Sequence, residues 1–272
     1  MIMIRIFQYM ILLLTTFAIL FPIGIVIFAA FKSDNEFLST STFTAPDNFF
    51  NFGNFVSAYV EGNMSLAFLN IFYIIILAIV GNVLIGTMVA FALGRFEFKM
   101  KKVILAAYAL AAIVPTITTQ VATFQVIKFI GLTNTHYAAV LIFLSTDLIQ
   151  IYIYLQFVKN IPKELDESAY LEGASLVRIY RSIIFPLLAP ATATVIIIKV
   201  ISIYNDVFIP YLYMSKTNLI VVSTALMRFQ GDNSSAYNTL SAAVLLILVP
   251  TVILYLFLQR YIFAGIVNGA VK

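Results

Sequence analysis

Residues 164 to 186, ELDESAYLEGASLVRIYRSIIFP, gather Glu164, Asp166, Glu167 and Glu172 with Arg178 and Arg181 inside a chain that is 62% hydrophobic and only 10% charged. Clustered carboxylates can move protons, hold a metal or recognise a basic partner. The first two uses need companions. The 272 residues include no cysteine and a single histidine, His136, which sits beside Asn134 and Thr135 and reads as a surface cap or loop residue. One imidazole with no thiolate or second histidine nearby makes no metal site and no Ser–His–Asp set. A Gly-x-x-x-x-Gly-Lys-Ser/Thr run is absent too, so the chain lacks the backbone cradle and lysine that hold nucleotide phosphates. On charge alone two readings are left to the acidic interval, a solvated amphipathic connector and a unit that enters a cleft on another protein.

Two further ionisable residues stand inside apolar runs, Asp147 and Lys199. Each lies about ten positions from the same end of its run, roughly 15 Å at helical rise. A lone charge at that depth costs a few kcal/mol by insertion scales, so the expectation is an Asp147–Lys199 ion pair or a wet cavity. Whether such a pair is structural or touches a solute stays open. Tyr204, Asn205 and Asp206 form a polar, aromatic end on the same run as Lys199, and Gln120 and Gln125 stand on an earlier one. These side chains can hydrogen-bond hydroxyls and are candidates for lining a path. Asn82 belongs to a stripe of small residues, Ala78, Gly86, Ala90 and Gly94, at four-residue spacing. Such a stripe lets a second helix backbone approach, with a pathway-lining Asn82 as the alternative.

The elements that position these residues are apolar runs of about the ~20 residues a helix needs to cross a bilayer. They fall at Ile6–Phe31, Ala67–Leu93, Val103–Thr123, Tyr137–Val158, Leu187–Ile209 and Tyr237–Ile262, with a loop over residues 160–186. The first is too long for a cleaved signal core and reads as a retained span. The expected fold is therefore an all-α membrane protein with six transmembrane helices in one domain, residues 1–272. Six spans leave both termini on one side. That side carries Arg5, Arg95, Lys99, Lys101, Lys102, Lys159, Lys163, Arg178, Arg181, Arg260 and Lys272, against Lys32, Lys128, Lys216 and Arg228 on the other. The excess of positive charge assigns both termini, and the acidic interval, to the cytoplasm. In a membrane chain the position of these charges matters more than the net +4, which gives no argument for a nucleic-acid partner. Residues 32 to 66, rich in Asn, Ser, Thr and Phe, form the expected external segment, with aromatics at the membrane surface.

Within the acidic interval, Pro162 suits a first helical turn, and Glu164, Asp166 and Glu167 follow where the helix dipole favours acids. Gly173 fits the left-handed position that ends a helix, Ser175 can cap a second one, and Pro186 marks entry into the fifth span. Helix, glycine turn, helix is the expectation. The spacing also resembles the EAA loop of permease subunits in binding-protein-dependent ABC importers: Glu-Ala-Ala, three residues, Gly, nine residues, Ile, one residue, Leu-Pro. Agreement falls at Glu167, Ala169, Gly173, Ile183 and Pro186, with Ser168 in place of Ala and Phe185 in place of Leu. The tail QRYIFAGIVNGAVK is similar to that of the shorter maltose-type permease subunit.

The resemblance implies a type I ABC importer permease fold with a cytoplasmic coupling helix. Glu164, Glu167, Ser168, Ala169, Gly173, Ala174 and Ser175 would then couple to an ATPase, with Gly269 and Lys272 of the tail facing it. The implied partners are a second homologous permease in a heterodimer, two ATPase subunits that use ATP and Mg, an external sugar-binding protein, and lipid of a bacterial cytoplasmic membrane. No cofactor is expected on this chain, and no catalysis. Import of a sugar or oligosaccharide is the implied function. A non-sugar solute, or an ion-coupled transporter using Asp147 as a proton carrier, are the competing readings; the second would favour internal repeats and Gly/Pro-interrupted helix pairs around a midplane site, and the sequence makes neither evident.

Overall fold

The computed structural model describes residues 2–229 and 237–270. Among these the ordered elements are all helical. In chain order they are α1 (Ile2–Phe31), α2 (Asp34–Ser39), α3 (Gly53–Glu61), α4 (Met64–Arg95), α5 (Lys101–Ile113), α6 (Thr116–Phe129), α7 (His136–Phe143) and α8 (Leu148–Asn160). Then follow α9 (Glu164–Leu171), α10 (Leu176–Ile179), a π turn (Tyr180–Ile184), α11 (Phe185–Leu187), α12 (Ala189–Asn205), α13 (Phe208–Tyr213), α14 (Val222–Ala225) and α15 (Tyr237–Ala270). They form two compact units, Met1–Leu69 with Val221–Ile253, and Asn70–Ile220 with Leu254–Lys272.

In the first unit α1 is apolar in every register and yet exposed along most of its length, with Leu13 and Leu14 about 70% and 68% exposed. Such a helix is stable only in lipid. The segment Ile4–Phe31 is about 42 Å long at 1.5 Å per residue, more than the ~30 Å hydrocarbon core. Beyond it, the chain folds back on the open carbonyls of the helix end. Asn54 Nδ2 donates to the carbonyls of Ala30 and Lys32, each at 2.8 Å. The buried Lys32 Nζ, at the negative end of the α1 dipole, donates to Thr40 Oγ1 at 2.9 Å and to the Ser41 carbonyl at 2.8 Å. Asn238 of α15 donates to Asp34 Oδ1 at 2.6 Å. Ser33 and Glu36 close a capping box on α2, and the Phe31 ring packs on Phe49, Phe52 and Phe55.

The second unit is organised on α4. Its buried face carries Ile71, Ile74, Ala78, Asn82, Gly86, Ala90 and, partly, Gly94, the three-and-four spacing of one helix side. Side chains of α8 fill the glycine gaps: a Cβ on Gly86 would collide with Gln150, and one on Gly94 with Val158. The small-residue stripe is thus a packing surface for α8.

Among the described residues three helices are long and apolar enough to cross a membrane, Ile4–Phe31, Met64–Arg95 and Tyr237–Phe257; three bent pairs raise the number of candidate spans to as many as six. The third expected run, Val103–Thr123, is not one helix: α5 and α6 meet at 109°. Pro115 has no N–H for a helical bond, and its ring pushes Val114 to an extended conformation, ψ 120°. The fourth, Tyr137–Val158, breaks by 48° between α7 and α8. The fifth, Leu187–Ile209, stops at Asn205, where Asp206 turns extended and its Oδ1 accepts the Ile209 N–H of α13 at 2.8 Å.

Candidate functional site

The acidic interval folds as helix, glycine turn, helix. α9 begins at Glu164, two residues after Pro162, with Glu164, Asp166 and Glu167 in its first turn. It ends in a Schellman motif: Gly173 N–H donates to the Tyr170 carbonyl at 3.0 Å, and Ala174 N–H to the Ala169 carbonyl at 2.9 Å. Gly173 has φ +84° with open space around it, so the backbone angle alone demands glycine there. Ser175 Oγ caps α10 by accepting the Arg178 N–H at 3.4 Å. A feature with no sequence forecast follows, the π turn Tyr180–Ile184. Pro186 has no N–H to give and crowds the Ser182 carbonyl, which the wider turn relieves.

Glu164, Glu167 and Ser168 are exposed on the outer face of α9, while Ala169 and Ala174 pack against a core of Ala90, Phe91, Val158, Ile179 and Ile184. Sequence reasoning missed the apolar part of the outer face. Tyr170, Leu171 and Val177 are 67%, 87% and 74% exposed, with Leu165 and Leu176 exposed as well, apolar surface that suits a protein partner. The only signal for it was four apolar residues placed among the acids.

Asp166 faces α4. Its Oδ2 lies 2.6 Å from Arg95 Nε at the end of α4, the side chains being 19% and 5% exposed. Burial pushes the Asp166 carboxyl above its ordinary range, the Arg95 guanidinium pulls it down, and the Glu167 charge adds to the rise; burial wins. Arg95, Phe91 and Phe96, with Asp166, Glu167 and Tyr170 of α9, border an open cavity of about 520 Å³ beside that helix. Eight residues up α4, Thr87 Oγ1 donates to the Val83 carbonyl and is 2.7 Å from the Tyr180 hydroxyl, which is then the donor. The hairpin is therefore bonded to α4 through both of its arms.

Asn82 is 1% exposed and does not line an open surface. Its Nδ2 donates to the carbonyls of Ser145 at 2.8 Å and Leu144 at 3.3 Å, and the Asn82 backbone carbonyl accepts from Gln150 Nε2 at 3.1 Å. These bonds satisfy the broken end of α7. Across the break, Asp147 serves two neighbours: Oδ1 accepts the Gln150 N–H at 2.8 Å as the cap of α8, and Oδ2 pairs with Lys199 Nζ of α12 at 2.7 Å. The pair expected between Asp147 and Lys199 is formed. Asp147 remains 53% exposed, Lys199 15%.

The other polar candidates separate. Gln120 Oε1 accepts the Tyr213 hydroxyl at 2.8 Å, Tyr204 is buried, and Asp206 caps α13. Gln125 is exposed on α6, and Asn205 is exposed on α12 with its Nδ2 on the Ile201 carbonyl at 3.0 Å. His136 is no surface cap: it bonds Asn70 Oδ1 at 2.9 Å, while Asn70 Nδ2 donates to the Asn218 and Ile220 carbonyls. Gly269 lies in the last turn of α15 and Lys272 is outside the described residues.

This all-helical arrangement, with helices long and apolar enough to cross a membrane, has known counterparts. The fold superposes on a bacterial ABC transporter involved in the import of the acidic polysaccharide alginate with a TM-score of 0.83 at 17% identity, covering 95% of this chain and 96% of that one. Residues 82–268 match the family of binding-protein-dependent transport system inner membrane components, and the chain belongs to that family. The melibiose/raffinose/stachyose import permease protein MelC of Bacillus subtilis is 31% identical, covering 92% of this chain and 91% of that protein. The probable starch degradation products transport system permease protein AmyC of Thermoanaerobacterium thermosulfurigenes is 30% identical, covering 92% and 91%.

Proposed function

We propose that the chain is a transmembrane subunit of an ATP-driven importer for a sugar or oligosaccharide, delivered by a binding protein outside the cell. Its work is mechanical. A second permease of the same family would complete the pathway, and two separate ATPase subunits would supply the energy with ATP and Mg. The positive-charge count orients the hairpin and both termini toward the cytoplasm of a bacterial cell. The single observation that carries this reading is the hairpin itself: Glu167, Tyr170 and Leu171 exposed on an eight-residue helix that is tied from beneath to α4. Such an element suits insertion into a cleft on a separate protein. Closure of the ATPase pair would move it as a rigid body, and the membrane helices would follow.

The substrate class rests on the relatives, whose names specify import of melibiose, raffinose, stachyose and starch fragments. A second structural neighbour, with a TM-score of 0.65 and 19% identity over 94% of this chain and 93% of that one, was solved with a periplasmic protein holding an alginate pentasaccharide. On this chain the half-exposed Asp147, paired with Lys199, supports a wet or protein-covered face, since a carboxylate that open to lipid would be costly. Asn205, exposed on α12, is assigned to the same path. Purification of the permease with its ATPase tests the docking role. The ATPase should co-purify with the wild-type chain and be lost from Glu167→Ala; recovery in equal amounts from both contradicts it.

A further inference from the structure

The coupling role proposed above needs Glu167 to face a fixed direction, and α9 has little of its own to fix it. An eight-residue helix is not stable alone in water. Of the residues of α9, only Asp166 and Ala169 are even partly buried; the other six are exposed. A single methyl packed on the core, Ala169, resists neither a roll about the helix axis nor a slide along it. Asp166 supplies what is missing. It is the neighbour of Glu167, so the two side chains leave the helix about 100° apart. Its carboxylate is held at 2.6 Å by a guanidinium that is 5% exposed on the last residue of α4.

The geometry points to Arg95 and Asp166 as the positioning pair of the importer: the ion pair sets the rotation of α9, and hence where Glu167 is presented, and carries the displacement of α9 into α4. This inference rests on the coupling role of the hairpin. The path above Arg95 is continuous. The Thr87–Tyr180 bond joins the second arm to the same helix, and Asn82, about 20 Å up α4, holds the α7 end next to the Asp147–Lys199 pair. A shift of α4 therefore reaches the α7–α8 break directly. The pair also has a second position available to it. Arg95 Nε and Nη2 and Asp166 Oδ1 are all buried with no hydrogen-bond partner, the 2.6 Å contact being an ion pair and not an aligned hydrogen bond, so a small roll of α9 that closes the two-bond fork would satisfy all three atoms.

A merely structural pair would change how much complex forms, not how well each complex couples. The test therefore uses the complete importer in vesicles, both permeases, the ATPase pair and the loaded binding protein, and reads sugar taken up per ATP hydrolysed. Arg95→Lys keeps the charge and loses the planar fork; Asp166→Asn keeps the shape and loses the charge. Each should lower uptake per ATP by about fivefold or more among assembled complexes, and the exchange Arg95→Asp with Asp166→Arg should recover most of it. An unchanged ratio in both single variants, or an exchange variant no better than they are, overturns the inference. Failure of the wild-type assembly to couple uptake to ATP would instead overturn the functional reading.

Discussion

Two ion pairs of the second unit, Arg95–Asp166 and Asp147–Lys199, each join one helix to another and are built for different tasks. In the first, both partners are largely enclosed, at 5% and 19% exposure, and neither serves another element. In the second, Asp147 is 53% exposed and shared between Lys199 and the cap of α8. An enclosed pair with no other duty fixes a direction. A half-open, shared one holds a helix break together while leaving a charge facing whatever fills the space beside it. The hairpin end of this unit is therefore held by an enclosed pair, and the α7–α8 break by a half-open one.

The largest expected effect breaks the enclosed pair by removal: Arg95→Ala leaves an unpaired buried carboxylate and should cost about 3–5 kcal/mol, read as a lower thermal midpoint and a reduced yield of assembled complex. Asp147→Ala should cost less, about 1 kcal/mol for the lost cap, while cutting uptake more than stability. Equal stability losses would erase the distinction between the pairs. Between them falls Gly86→Leu, which drives a side chain into Gln150 and Tyr154 and should cost roughly 1–3 kcal/mol by overpacking. Gly173→Ala meets no atom, and only its φ of +84° opposes it, so about 1–2 kcal/mol is expected. ATPase recovery should report that loss, since the strain is confined to the hairpin turn.

The smallest effect is one of pH and sharpens the comparison at the enclosed pair. The Asp166 carboxyl, raised by burial and facing Arg95 of α4 with Glu167 and Lys163 beside it, takes up a proton at a higher pH than an ordinary aspartate. Because its folded value lies above the unfolded one, its contribution to stability is fully present at low pH and is lost as pH rises through the raised value. Acidification on the hairpin side should therefore loosen the pair and lower uptake per ATP without lowering the thermal midpoint through this group. Asp166→Asn should flatten that dependence. Parallel loss of stability and coupling in the wild type alone would contradict the assignment.

Much of the hairpin was legible because its signals are local: acids in a first turn, Gly173 at a left-handed position, Ser175 as a cap. Each acts within four residues. The Asp147–Lys199 pair was legible from cost alone, since two lone opposite charges at one depth in apolar runs have few places to go. Arg95–Asp166 was not, because both residues sit among other charges near membrane ends, where a charge is cheap and implies no partner. The break at α7–α8 was hidden for a similar reason: hydropathy is continuous through Leu144, and the carbonyls freed there are received by the Asn82 amide, a residue more than sixty positions away in the chain. Pro115 was a visible signal of the 109° bend, but apolar length concealed it. His136 read as a surface residue because its partner, Asn70, comes from a different helix.

The central claim is that a separate nucleotide-driven motor moves this chain through its hairpin. Vesicles holding the complete importer, with loaded binding protein outside, test it most directly when ATP and the ion gradients are removed independently. The account predicts that sugar uptake stops when ATP is withdrawn and continues when the gradients are collapsed with ATP present. Uptake that survives ATP withdrawal and stops with the gradients would contradict it.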